Sequence, residues 1–192
     1  MSILGNFLSG GSSYSFGETR LDRFGLWIGR RLALRHANVE LARSARISPE
    51  ARVNPRSDRI VIGENSIVAP GAMIQGNVRI GNDSSVQAYT IVVGYREEGL
   101  VRIGSGVRIA AHTMIVAANH VFDNPDIPIH KQGVRPAPIT IEDDVWIGGQ
   151  VFITAGVTIG HGSVIGAGSV VTRSIPPRSI AVGCPARVIR TR

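Results

Sequence analysis

From Ile141 to Thr172 an aliphatic residue returns at every sixth position: Ile141, Ile147, Ile153, Ile159, Ile165 and Val171. Four residues after each of the first five stands Val145, Val151, Val157, Ser163 or Ser169, small or β-branched in every case, with mostly Gly or polar residues between. A six-residue unit is too short for a hairpin or for a helix with its turn, so each hexad is one short strand and one bend. Three such sides close a triangle, and about eighteen residues make one coil of a solenoid whose coils pair at the β-sheet spacing of about 4.8 Å. The aliphatic position points inward, the small position shares the interior without overfilling it, and the corners hold Gly and polar residues.

The same register runs back through the chain in groups of three: Ile103, Ile109, Ile115; Ile80, Val86, Val92; Ile62, Val68, Ile74; and Leu41, Ile47, Val53. Each group is one coil, which predicts about six coils and a prism roughly 30 Å tall. The register is interrupted only on the third side. Val53 to Ile62 is nine residues, Val92 to Ile103 eleven and Ile115 to Ile141 twenty-six. Stacking therefore brings three excursions out along one edge, where they can build one site.

Residues 1–40 form a lead-in. The first seventeen are rich in Gly and Ser, and residues 18–36 read as a short helix with Leu21, Phe24, Trp27 or Ile28, and Leu32 on one face among arginines. Such a basic amphipathic helix suits a membrane surface, but a solenoid's open first coil needs a cover, and a cap is the expected role. The β-helix itself spans 41–175, with an external loop at 121–138, and a basic tail occupies 176–192, where Pro176 and Pro177 end the repeat after Val171.

A net charge of +7 fits an anionic ligand or surface,. Cys184 is the only cysteine, so no intramolecular disulfide forms,. No basic segment precedes a long apolar run at the N-terminus, and no span of about twenty apolar residues occurs, which reads as a cytosolic protein without nucleic acid or membrane among its partners.

The chemistry concentrates at the longest interruption. His120 sits one place before the next inward position would fall, so its ring points outward at the root of a loop stiffened by Pro125, Pro128, Pro136 and Pro138,. That placement suits a general base. His112 and His161 fall at or near corners, His130 lies in the loop, and His36 belongs to the cap. Trp146 also precedes an inward position, so it faces outward from a flat wall, as a subunit contact or the wall of a pocket. Arg173, Arg178, Arg187, Arg190 and Arg192 supply guanidinium groups suited to phosphates,.

With these residues in view, the chain resembles the hexapeptide-repeat acyltransferases, and among them the sugar O-acetyltransferases of the maltose, galactoside and capsule or colanic-acid types. The likeness runs from about Leu41 to the C-terminus. It is carried by Asn119-His120 before the long loop, FDNPDIPIH at 122–130, PAPITIEDDVWIG at 136–148, IGAGSVVT at 165–172 and VGCPARVIR at 182–190. The resemblance implies an all-β, left-handed parallel β-helix and a homotrimer with acetyl-CoA sites in the clefts between subunits. It implies that His120 is catalytic, that Trp146 lies near the reacting centre, and that the Gly149 N–H faces the thioester carbonyl. Ala167, Thr172, Arg173, Arg187 and Arg190 match positions that contact the pantetheine arm or the nucleotide phosphates. Arg173 stands where relatives commonly carry lysine, a change that keeps the charge. The acceptor-side asparagine of the galactoside branch has no clear equivalent; Gln87 and Tyr89 are the nearest polar candidates, with Asn119 beside the histidine. Glu18, Asp22 and Asp123 are candidates for the carboxylate that orients the histidine in some relatives, and a backbone carbonyl is the alternative.

The expected function is O-acetyl transfer from acetyl-CoA to a sugar or polysaccharide hydroxyl, without a metal. Two rivals share the fold: a zinc hydratase of the γ-carbonic-anhydrase type and a non-catalytic trimeric scaffold. The first needs three converging histidines, and His161 has no histidine five residues later.

Overall fold

The computed structural model describes residues 20–192. Among them the strands fall into three walls of six, eight and six strands and a separate two-stranded ribbon. The walls are the three sides of the predicted triangle, and the register is the one read from the hexads. On the first wall Leu41 pairs with Ile62, Ile62 with Ile80, Ile80 with Ile103, Ile103 with Ile141 and Ile141 with Ile159, all in parallel. The second wall stacks Ile47, Val68, Val86, Ile109, Ile147 and Ile165. The third stacks Val53, Ile74, Val92, Ile115, Ile153 and Val171.

All of these inward residues are buried except Leu41, which is partly covered at the open first coil. The small positions do more than save space. Ser66, Ser84, Thr90, Thr113 and Ser163 are buried, and their hydroxyls donate to the carbonyls of Gly81, Gly104, Ala110, Gly148 and Pro176 at 2.7–3.0 Å. Each such bond ties one coil to its neighbour and leaves no buried hydroxyl without a partner.

The corners repeat as faithfully as the core. Three residues after the inward position the backbone enters the left-handed region, at Asn65, Asp83, Gly106, Asp144, Gly162 and Arg178 on the first corner. On the second corner Gly71, Tyr89, His112, Gln150 and Gly168 do the same. Tyr89 and His112, at φ 58° and 60°, are bulky for that conformation,. Their rings stack at 5.4 Å, so His112 is more than the solvated corner histidine expected.

Two features differ from the expectation. The parallel pairing does not stop at Val171: Ile175 bridges to Ile159, and the strand Ser179–Gly183 adds to the second wall with Ala181 on Ile165. The final strand, Ala186–Thr191, then folds back antiparallel on it. Helix α1 (Arg20–Ala33) does pack on the first coil, but through Gly25, Gly29 and Ala33. Its large residues Leu21, Phe24, Trp27 and Leu32, expected on the coil, are 42–59% exposed. The reason is space: a Cβ at Gly29 would meet the Ile47 carbonyl oxygen at 2.0 Å, so only a glycine face lets the helix lie this close. Arg30 fixes it by donating to the carbonyls of Ala42 and Leu41. None of the helices among the described residues is long and apolar enough to cross a membrane.

Candidate active site

The three excursions meet along one edge, as their common origin on the third side requires. Asp58, in the first, accepts the Arg96 N–H of the second at 3.2 Å. The second loop is closed by paired bonds between Tyr95 and Gly99, and Arg96 lies over the Tyr95 ring. The third begins as the strand Ala118–His120, which pairs antiparallel with Val134–Pro136 so that His120 lies opposite Val134. A central strand would bury its side chains on the wall; this ribbon stands off it, and Asn119 and His120 are exposed.

The tip of the long loop orders itself. The Gln132 amide donates to the Asn124 and Ile127 carbonyls at 2.8 and 2.6 Å, and the helical turn α2 (Ile129–Gln132) carries His130. His120, His130, Tyr95, Arg96, Glu98 and Val134 line an open cleft of about 540 Å³ between the second and third loops. His130 therefore shares the cleft with His120. Asp123 is engaged elsewhere, in an ion pair with Arg135 at 2.6 Å. Asp22 belongs to α1 on the first coil, and Glu18 lies outside the described residues.

Trp146 faces outward from the second wall, 56% exposed. It lines a second hollow of about 300 Å³ with Gln87, Ser85 and Arg108. Within one chain the structure thus brings Trp146 together with Gln87 and separates both from the His120 cleft. Sequence reasoning missed Arg108, though the signal was present. Arg108 precedes inward Ile109 as Trp146 precedes inward Ile147, and the two are Cα partners in adjacent coils. Tyr89 is on the second corner, stacked on His112 rather than beside Asn119.

Gly149 and Ala167 lie on that same corner. Two residues past the inward position, the amides of Ala88, Ala111, Gly149 and Ala167 form no hydrogen bond among the described residues. In the first two coils Pro49 and Pro70, which have no N–H, take the same place,. The result is a column of unpaired donors rising up the corner. Gly148 is required there, because a Cβ on it would meet the Ala167 nitrogen at 2.5 Å. Val182 covers Gly166 and is the Cα partner of Arg187, which sets that arginine at the top of the column.

The five arginines from Arg173 to Arg192 lie on different edges. Arg192 pairs with Asp144 at 2.8 Å and borders Gly162 with Arg178, on the first corner. Thr172 and Arg173 are exposed just beyond Val171 on the third wall. Arg187 and Arg190 lie on the final strand, exposed and without a carboxylate partner among the described residues. Among the described residues no group of three His, Cys, Asp or Glu side chains is placed to hold a metal ion.

The repeat matches a family model, the bacterial transferase hexapeptide (six repeats), at residues 59–94 and 138–173. Galactoside O-acetyltransferase of Escherichia coli (strain K12) is 40% identical over 143 residues, covering 67% of this chain and 62% of that protein. The chain spans 25% of a probable acetyltransferase of Mycobacterium tuberculosis, so less than two thirds of either curated relative. Among solved structures, an N-acyltransferase from Bacillus cereus, in complex with dTDP and 3-hydroxybutyryl-CoA, superposes with a TM-score of 0.73 at 28% identity. That match covers 83% of this chain and 86% of the other. A maltose O-acetyltransferase from Clostridium difficile 630 gives 0.57 at 28% identity, covering 100% of this chain and 97% of that one. With coils, register and family model in agreement, the protein is a left-handed parallel β-helix of hexapeptide repeats. The chain carries the repeat of the bacterial transferase hexapeptide family, and it is similar both to sugar O-acetyltransferases and to an N-acyltransferase.

Proposed function

We propose that the protein transfers an acetyl group from acetyl-CoA to a hydroxyl of a sugar or polysaccharide precursor, in clefts between the subunits of a homotrimer. The observation that carries this reading is the exposed His120 at the root of the loop, in a cleft walled by two excursions from one edge. A sugar hydroxyl attacks a thioester slowly unless its proton leaves as the bond forms, and imidazole is the side chain available as a neutral base near pH 7. His120 takes that proton and passes it to the departing thiolate, so no acyl-enzyme is needed. The donor column supports the other half of the reaction. The Gly149 N–H is free to meet the developing oxyanion, and the amides of Ala111 and Ala167 can hold the polar groups of the pantetheine arm. Thr172, Arg173, Arg187 and Arg190 are exposed, and among the described residues these three arginines have no carboxylate in an ion pair, which suits phosphate binding. Trp146 and Gln87 face outward from the second wall, where a neighbouring copy's His120 cleft would have to close on them.

Replacing His120→Ala should lower turnover about 100- to 10,000-fold and leave acetyl-CoA binding measured by calorimetry unchanged. Near-normal turnover in that variant would rule this mechanism out. A second reading takes an amino sugar as acceptor, with transfer to nitrogen. It is supported by the B. cereus enzyme, whose structure with dTDP-4-amino-4,6-dideoxyglucose and coenzyme A superposes at a TM-score of 0.72 and 29% identity. That match covers 83% of this chain and 87% of the other. Acceptor pairs differing only in a hydroxyl or an amine at one carbon, assayed by mass spectrometry, separate the two.

A further inference from the structure

Helix α1 buries its smallest residues and displays its largest. Opposite the Gly25, Gly29, Ala33 stripe, at spacings of four, three and four, stand Arg20, Phe24, Trp27 and Arg31, all exposed,. The rings of Phe24 and Trp27 stack at 5.8 Å, and the Arg31 guanidinium lies 5.4 Å over the indole. Exposed Arg23 and Arg35 flank this stripe, and the single carboxylate of the helix is Asp22. A helix needed only to close a solenoid has no use for arginine and tryptophan on its far side.

We propose that this outer face docks on an anionic lipid surface. The chemistry is complementary on both counts. Aromatic rings settle at the boundary between headgroups and acyl chains, while arginines keep their stems along the apolar surface and reach lipid phosphates. The chain's net charge of +7 adds a general attraction to a negative membrane,. A second copy is a poorer occupant, because an isologous contact would set one arginine stripe against the other. The glycine-lined inner face lets the helix lie flat on the first coil, so the displayed stripe is presented by a rigid support. This reading departs from the expectation of a chain without a membrane partner, and it does not depend on the acyl-transfer assignment.

The test uses the full chain and vesicles of phosphatidylcholine with or without about 30% phosphatidylserine, a composition chosen to supply negative surface potential. The protein should co-sediment with the anionic vesicles and not the zwitterionic ones, with binding falling as salt rises. In a Trp146→Phe background the remaining Trp27 emission should shift to the blue on binding. Arg20→Gln with Arg31→Gln should weaken partitioning roughly 30-fold, and Trp27→Ala should abolish the spectral shift and weaken binding. Absence of binding, equal binding to both vesicle types, or full binding retained by both variants would each overturn the proposal. A Trp27→Ala change that alters the molar mass in light scattering, with no vesicle binding in the parent, would assign the face to contacts between copies instead.

Discussion

The first and second corners of the prism share one backbone geometry and treat their amides in opposite ways. On the first, the N–H two residues past the inward position finds a side-chain acceptor one coil away. Glu64 donates to Asn82 Oδ1 at 2.8 Å, Asn82 to Ser105 Oγ at 3.1 Å, Ser105 to Asp143 Oδ1 at 2.7 Å and His161 to Glu142 Oε2 at 2.6 Å. Asp143, whose carboxylate serves Ser105, forms no such bond with its own amide. On the second, the equivalent residues of the six hexad coils are Pro, Ala or Gly, and nothing within the described chain accepts from them; the donor Gly183, two past Ala181 in the added strand, is paired with Ser169 Oγ at 3.1 Å. Small, mute side chains keep the donors accessible. One corner is thus locked to itself, and the other leaves its backbone donors unpaired within the described chain,.

This contrast can be broken at single residues. The largest effect is expected at Gly149. Replacing it with proline deletes the N–H at a register position where Pro49 and Pro70 already fit the fold. Turnover should fall about 100- to 1,000-fold, whereas Gly149→Ala, which keeps the donor and needs only a small adjustment against the Ala111 carbonyl at 3.3 Å, should retain most of it. Steady-state kinetics on the pair isolates the hydrogen bond from the space. Next, Ala167→Pro should raise the KM for acetyl-CoA by about 3- to 10-fold, the worth of one ordinary hydrogen bond, with the melting temperature unchanged or slightly higher.

On the locked corner the signs reverse. Asn82→Ala removes the acceptor of Glu64 N–H, and denaturant unfolding should show a loss of about 0.5–1.5 kcal/mol with kinetic constants unaltered. The smallest effect concerns acid. Ser44 donates to Glu64 through its hydroxyl and its amide and holds that carboxyl below its ordinary value of 4.5. A depressed native pKa contributes stability above the unfolded value, and that contribution is lost as pH falls through the native one. The gap in melting temperature between the parent and Glu64→Gln should therefore be present at neutral pH and shrink below about pH 4.5, by a small amount because the group is exposed.

How much of this was legible depended on which residues carry the signal. The coils were read from Ile, Leu and Val because a six-residue period in large aliphatics has one physical solution, and the common edge followed from where the period breaks. Helix α1 misled because amphipathic reasoning gives weight to large residues. Here close approach to Ile47 made Gly25, Gly29 and Ala33 the buried face. The extension past Val171 hid behind a four-residue step to Ile175 and an inward alanine, Ala181, which no aliphatic period reveals. His120 was singled out by its position at the loop root and by the resemblance to the acyltransferases. Its companions Tyr95, Arg96 and Glu98 come from another loop, and only stacking brings them to one cleft. The donor column was partly visible in Pro49 and Pro70, which mark the coils where an amide is not needed.

The reversal of Ala186–Thr191 on Ser179–Gly183 bears on what this molecule does in a crowded solution. A stack of parallel rungs has no intrinsic stopping point, and an unblocked final rung is a template onto which another chain's exposed strand can grow, rung after rung, into a filament. By turning this segment back against the direction of winding, the chain pairs its own strand onto that edge of one wall and breaks the parallel register there.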